Sequence, residues 1–469
     1  MIIQVIVPQT NNPDVILNLM PGLHFIPKKV FKGQTYIDLL IGIAVLSILG
    51  LTLFRLSSLG YELISYSRAR IAAKHLAQEK LEEIRNLTYG DAGTAGGIPS
   101  GTIGQYENIK RNGINYLVET KIVYVDDPFD NEAPIDTDPA DYKRVRVKVS
   151  WGGLASSSRN PIELTTDISS GISTEVIGGV LKVLVFDASG NPLPQAVVKI
   201  TSSTIIPAVD LTQETDSHGV VSIPGATECV ACYRISASKA GYSSERTYSI
   251  TEIANPFKQD QGVFKNQITQ ISFAIDKVAS LTVSSVNGRE ASYSLSPGVN
   301  FKLRGGKVIG NDAYAQPVYK FDKSYTTDAG GLTTISNLEW DVYQIYMEPT
   351  SSYDIGGTNP LLPLNILPDS ENNMVFVVYP HSPHSLLTIT KDPALNRIES
   401  AYVKLFDSLG FDQTKTTGLV SDPDFGQAFF SSLEEKTYQM EATASGFLKY
   451  TGEVIVSEYT KDEVVLQPE

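Results

Sequence analysis

Residues 39–54 run for sixteen positions without a charged side chain. Lys28, Lys29 and Lys32 precede them, followed by Gly33. Gln34, Thr35, Tyr36 and Ile37 then separate that glycine from a single carboxylate, Asp38. With residues 34–37 included, a helix here would rise ~30 Å, the thickness of a bilayer core. The lysines would stay on the cytoplasmic side and the rest of the chain would lie beyond the membrane. A lone carboxylate inside such a span is costly and calls for a partner.

The helix should outlast the membrane. Arg55 marks its outer edge, and no proline occurs from residue 34 to residue 97. Ala69, Ala73, Leu76, Ala77, Leu81, Ile84 and Leu87 recur at steps of three and four, which makes one apolar stripe. Gln78, Glu79, Glu82, Glu83 and Arg85 fall largely off it. Such a stripe packs on the chain's own head, or is shared with neighbouring subunits. A cleaved secretory signal would need a small-x-small site soon after the apolar run, and residues 54–60 offer none. A plain single-pass anchor leaves the acid just after Lys-Gly unexplained.

Lys32-Gly33-Gln34-Thr35-Tyr36-Ile37-Asp38, followed by that helix, resembles the class III signal of type IV prepilins and pseudopilins. Residues 76–85 also resemble minor pilins and pseudopilins. The resemblance implies cleavage after Gly33 by prepilin peptidase and methylation of the new Gln34 amine. It implies that Asp38 meets the freed amine of a neighbouring subunit. The implied partners are other pilin or pseudopilin subunits, an inner-membrane assembly platform and membrane lipid. The implied location is the cytoplasmic membrane, single-pass with the N-terminus cytoplasmic, and then a filament or the cell surface. The commonest family motif has Phe, Leu and Glu where this chain has Gln34, Tyr36 and Asp38. Met20 offers a start that would leave a short basic leader of the usual style.

Beyond the helix, the glycine-rich residues 89–104 break it. Residues 115–125 and 142–151 read as strands, the second alternating Val145-Arg146-Val147-Lys148-Val149. A helix, a glycine-rich loop and antiparallel strands match the pilin head, so the resemblance covers about residues 20–172. The intervening loop carries Asp126, Asp127, Asp130, Asp136 and Asp138. Clustered hard oxygens suit calcium. The loop lacks the glycine and spacing of an EF-hand, and Pro128, Pro134 and Pro139 favour a solvated loop.

From residue 176 the chain reads as short strands with regular turns. Leu181-Lys182-Val183-Leu184-Val185 alternates, and Asp187 to Leu193 is a turn. Residues 196–200 form the next strand. Asp216-Ser217-His218-Gly219 precedes another strand, and Tyr233 and Lys239-Ala240-Gly241-Tyr242 follow. This order resembles the carboxypeptidase regulatory-like domain, a small transthyretin-like (Ig-like) β-sandwich. The skeleton returns twice, at Asp328-Ala329-Gly330 with Tyr343, and at Asp422 to Gly426 with Tyr438 and Gly446-Phe447. Each tyrosine follows its turn glycine by about a dozen residues, as a residue bridging core and surface at a corner would. The glycines supply positive φ and the aspartates bond their own turns.

The expected class is therefore α+β: a long N-terminal transmembrane and amphipathic helix with a pilin-like antiparallel sheet, then about three all-β sandwich modules. The expected divisions are a leader at 1–33, the helix at 34–88 with its span at 36–54, and the head at 89–172. Sandwiches are expected at 176–277, 278–380 and 383–469.

Chemistry is sparse. A net charge of −14 argues against sequence-independent nucleic-acid binding. His24, His75, His218, His381 and His384 do not come with a metal-ligand set, and no zinc-protease motif, phosphate loop or Gly-x-Ser-x-Gly elbow occurs. Neither an enzyme nor a cofactor is expected. Trp151 and Trp340 read as core or strand-end residues. Cys229 and Cys232, the two cysteines of the chain, are compatible with a redox pair, half a zinc site or a local clip. An exported setting favours a disulfide closing the turn before Tyr233, over free thiols and over metal. The expected role is a minor pilin-like subunit displaying sandwiches for adhesion or for an unidentified surface ligand. The competing reading is a single-pass surface anchor displaying binding modules.

Overall fold

The computed structural model describes residues 36–127, 140–152, 160–169, 178–348 and 350–469. The chain divides into two compact units, Met1–Ser67 and Arg68–Glu469. Helix α1 (Tyr36–Arg85) begins in the first and ends in the second. Its described start and end lie inside the expected 34–88. The helix stops at Arg85, before the glycines, and Leu87 is only half-buried.

In the second unit, the stripe on α1 meets a four-stranded antiparallel meander, β1 (Tyr106–Arg111), β2 (Ile114–Val125), β3 (Tyr142–Trp151) and β4 (Ile162–Ser169). Ala69, Ala72, Ala73, Leu76, Ala77, Leu81 and Ile84 are buried, as are Tyr116, Val118 and Ile122 of β2 and Val145, Val147, Val149 and Trp151 of β3. The small residues let the helix backbone come close: the Tyr116 hydroxyl donates to the Ala69 carbonyl at 3.3 Å. Each fully buried Leu or Ile contributes roughly 1.5–3 kcal/mol. Strand β1 is an edge strand with few apolar residues, and β4, the other edge, alternates Ile162, Leu164 and Ile168 with polar residues.

The sandwiches share one plan. The first is built from β5 (Gly179–Phe186), β6 (Val197–Ser202), β7 (Val209–Glu214), β8 (Val220–Ala226), β9 (Cys229–Ser238), β10 (Ser244–Arg246), β11 (Asn255–Pro256), β12 (Gln261–Val263) and β13 (Ile268–Ala274). The second has β14 (Ala279–Asn287), β15 (Asn300–Gly305), β16 (Val308–Asn311), β17 (Pro317–Tyr319), β18 (Asp322–Thr326), β19 (Leu332–Leu338), β20 (Asp341–Tyr346), β21 (Tyr353–Asn359), β22 (Leu364–Ile366) and β23 (Glu371–Pro380). The third has β24 (Ser385–Lys391), β25 (Tyr402–Phe406), β26 (Asp412–Thr416), β27 (Gln427–Phe430), β28 (Lys436–Thr443), β29 (Tyr450–Val456) and β30 (Tyr459–Val465). In each, the first strand pairs parallel with the last: β5 with β13, β14 with β23, and β24 with β30. Its other neighbour is the antiparallel strand that follows the repeated turn: β8, β19 or β27. The facing sheets centre on β6 and β9, β15 and β20, and β25 and β28.

The buried tyrosines close corners. Tyr233 donates to the Thr227 carbonyl at 3.0 Å and Tyr343 to the Glu339 carbonyl at 2.8 Å. The hydroxyl of Tyr438 accepts the Glu434 N–H at 3.0 Å. In the second copy, Gly331 rather than Gly330 takes the left-handed backbone, at φ +69°. There a Cβ would sit 3.0 Å from the Ser285 carbonyl oxygen. Asp216 and Asp328 each accept two backbone N–H groups of their own turns. The third copy departs from this, since Asp424 turns instead to Arg289 and Tyr293 of the second sandwich.

A buried threonine marks the repeat more faithfully than the turn does. Thr215, Thr327 and Thr417 each accept, through the side chain, the N–H that opens the second strand's approach (Ala196, Val299 and Ala401). Their own N–H groups donate back to the carbonyls of those same residues at 2.9, 3.1 and 2.9 Å. Replacing Thr215 by Val leaves the Ala196 N–H without its acceptor, and an unpaired buried donor costs about 1–3 kcal/mol. Thermal unfolding of the isosteric Thr215→Val should show that loss, while Thr215→Ser, which keeps the hydroxyl, should lose less.

Candidate functional site

Two regions concentrate the features a function would use: the helix with its head, and the joints between modules. Along α1, the apolar side chains from Leu39 to Ile64 are exposed, with Leu46 at 72% and Phe54 at 73%. By length and composition, α1 contains the one stretch among the described residues that is apolar enough to cross a membrane. Gly33 and Gln34 lie outside the described residues. Asp38 falls within α1, but its side chain is not described.

Where α1 meets the head, two lysines are buried. Lys80 lies in the apolar stripe and pairs with Glu107 at 2.6 Å and Glu83 at 3.0 Å. Burial alone would push its pKa down, but these two carboxylates outweigh it and hold the value above normal. Lys143 opens the inward face of β3, two residues before Val145. Its ammonium donates to the carbonyls of Tyr89 at 2.5 Å and Ala92 at 2.8 Å. It also lies over the Tyr89 and Tyr124 rings, at 4.5 and 5.3 Å. Lys143 thus ties the turns after the helix to the sheet. Burial lowers its pKa to about 8, with Asp91 pulling weakly the other way. The strand pattern draws attention to the outward Arg146 and Lys148. Lys143 escapes notice, although its parity with Val145 places it inside.

The joints are close-fitting. Ile98, from the glycine-rich loop, is buried within the core of the first sandwich. Gly96, at φ +75°, accepts the Asp210 N–H at 2.8 Å, and the Gln105 amide donates to the Asp210 carbonyl at 2.8 Å. The first and second sandwiches share a small sheet in which β11 pairs with β16, and Lys277 meets Asp369 at 2.6 Å. Between the second and third, Asp424 takes Arg289 at 3.0 Å and the Tyr293 hydroxyl at 2.7 Å. Gln427 and Thr358 exchange two hydrogen bonds, at 3.0 and 2.8 Å. Tyr379 stacks on Phe429 with centroids 4.9 Å apart. Glycines make this approach feasible: a Cβ on Gly356 would lie 2.3 Å from the Tyr379 ring, and one on Gly357 would lie 2.7 Å from Asp424 Cβ.

The other singled-out residues separate. Cys229 and Cys232 are joined as a disulfide at the start of β9. Val263 pairs with Cys229 and Gln261 with Tyr233, so β9 carries two extra residues across this step. Ala231, inside the ring, has φ +48°. The disulfide therefore holds a bulge in place. Asp126 and Asp127 are described, the Asp127 N–H donating to Asp141 at 2.6 Å. Asp130, Asp136 and Asp138 lie outside the described residues. Among the described residues no cluster of three or more His, Cys, Asp or Glu could hold a metal ion. His218 is exposed in its turn, and His381 pairs with the buried Asp354 at 2.8 Å. Trp340 lies under the Lys307 ammonium, 3.2 Å from its ring centre.

No family model matches the chain, and no curated protein matches it. Among solved structures it is similar to the Bacillus anthracis TIE protein, at 12% identity over 77% of this chain and 73% of that one, with a TM-score of 0.18. The Streptococcal ancillary pilin is 12% identical over 62% of this chain and 99% of its own, with a TM-score of 0.17. BcpA, the major pilin subunit of Bacillus cereus, is 12% identical over 62% of this chain and 100% of its own, with a TM-score of 0.16. TM-scores of this size describe no shared whole-chain arrangement and carry no functional weight.

Two outcomes follow from this geometry. Lys143 has a folded pKa of about 8 against its ordinary 10.5, so the unfolded chain binds the extra proton between these values. Its burial penalty is full below pH 8 and fades as pH rises to 10.5. Across that window the stability of the wild type relative to Lys143→Met should rise by about 3 kcal/mol, read by denaturant unfolding at several pH values. At the second joint, Gly357→Ala should push the third sandwich off the second. Limited proteolysis should then cut the connection near residues 381–384 several-fold faster than in the wild type.

Proposed function

We propose that this chain is a minor pilin-like structural subunit and not an enzyme. Prepilin peptidase would cut after Gly33 and methylate the Gln34 amine. The helix would hold the subunit in the cytoplasmic membrane and then pack among other pilin or pseudopilin subunits. The observation that carries this reading is the division of α1. Its apolar first part has exposed side chains, while its last turns close an antiparallel sheet through Ala69, Ala73, Ala77 and Ile84. A helix of that kind needs lipid or neighbouring helices along one length and its own head along the other.

The sandwich array points to a tip or low-copy position, because three modules beside every head would crowd a repeating shaft. The modules would face outward for adhesion or ligand capture. A single-pass anchor that never enters a filament uses the same helix, and the mature N-terminus separates the two. Mass spectrometry of the membrane-extracted protein should find a chain starting at methylated Gln34. Residues retained ahead of Gly33 would overturn the proposal in favour of the plain anchor. Asp38→Ala should be processed normally yet fall at least tenfold in sheared filament fractions, as judged by immunoblotting.

A further inference from the structure

The outer face of the head sheet carries a ladder of charges, and one rung is unbalanced. Glu119 stands opposite Lys148, and their charged groups approach to 3.6 Å. Arg144 is paired with Asp167 at 2.8 Å, and Arg146 with Glu163 at 3.1 Å. Lys121 stands directly opposite Arg146 in the β2–β3 register. Like charges facing each other across a strand pair oppose the pairing. Among the described residues Lys121 makes no hydrogen bond or close ion pair, and its acidic neighbours Glu119 and Glu214 act only through space.

Lys121 lines a cleft of about 350 Å³ between the head and the first sandwich. A volume of about 300–1,000 Å³ is usual for small-ligand sites. The opposite wall brings Gln213, whose buried amide nitrogen also has no hydrogen-bond partner. An ammonium and an amide N–H₂ are donors with no acceptor among the described residues, so the missing group is an acceptor, and a carboxylate would satisfy both. Arg144, Arg146 and Lys148 also line the cleft, but each is already engaged by a carboxylate, Asp167, Glu163 and Glu119 respectively. Glu119, Glu214 and Thr212 offer acceptors for hydroxyls, and Tyr106 offers an exposed aromatic ring at the edge. Unpaired donors for one anion, several hydroxyl acceptors and one ring together describe a polyol that bears a single acid.

We propose that this cleft binds a carboxylate-bearing sugar, its acid group held by Lys121 and Gln213 and its hydroxyls by Glu119, Glu214 and Thr212. The unfavourable Lys121–Arg146 rung is then a feature that the bound anion relieves. The site belongs to the head and first sandwich and stands whether or not the helix enters a filament, so the N-terminal test leaves it untouched.

The test uses the full chain in detergent, with D-glucuronate, D-glucose and inorganic phosphate as probes in ligand-observed NMR titrations. Glucuronate should bind at least tenfold more tightly than glucose and more tightly than phosphate. Lys121→Gln should weaken glucuronate at least tenfold while raising the melting temperature without ligand, because it removes the repulsion. Gln213→Leu should weaken it several-fold, and Lys110→Gln, on the same face beyond the cleft, should leave it unchanged. Absence of glucuronate binding overturns the proposal, as does a Lys121→Gln variant that still melts cooperatively and binds as the wild type. Phosphate binding as tightly as glucuronate would mark a bare oxyanion site and overturn the sugar assignment.

Discussion

The apolar surface of α1 from Leu39 to Ile64 is the constraint on which the rest of the molecule turns. Its side chains are exposed, and burial of such surface from water is worth about 25 cal/mol per Å². That free energy must be recovered from lipid or from other helices. The stripe that follows begins with Ala69, Ala72 and Ala73, which let the helix lie close to the sheet, and adds Leu76, Leu81 and Ile84 further along. Lys80 and Lys143 then fix the approach, one through carboxylates and the other through main-chain carbonyls.

The sandwiches repeat a device rather than a sequence. The reciprocal bonds of Thr215, Thr327 and Thr417 tie the strand before the turn to the start of the second strand in each copy. The surrounding residues have diverged freely, and the third copy has even given its turn aspartate to the neighbouring module. Asp424 binds Arg289 and Tyr293 across the joint, and the hydroxyl pKa of Tyr293 rises through burial and through that carboxylate. The cost of losing the local turn bonds is offset by a connection between modules.

Much of this was legible in the residues. The uncharged run and the absence of proline gave the helix, and the alternation of β2 and β3 gave the centre of the head. The tyrosine following each turn glycine gave the sandwiches. The strand β1 was not legible, because an edge strand needs few apolar side chains, whereas the alternation of Ile162, Leu164 and Ile168 in β4 was there to be read. Lys143 was masked by its chemistry: a lysine reads as solvent-facing unless the parity of its neighbours is followed through. The threonines were in view, but their role depends on partners about twenty residues away. The cleft could not be read at all, since Lys121 and Gln213 come to line one cleft only when the head and the first sandwich are side by side.

The parallel pairing of first and last strands has a mechanical consequence. Because β5 and β13 run side by side in the same direction, the start of one and the end of the other lie at opposite ends of the pair. Tension applied through the chain therefore slides the two strands along each other and strains their hydrogen bonds together, instead of opening them one at a time. The same holds for β14 with β23 and for β24 with β30. A chain of such modules, fixed at one end by a membrane helix, would resist pulling at its far end by shear in every module.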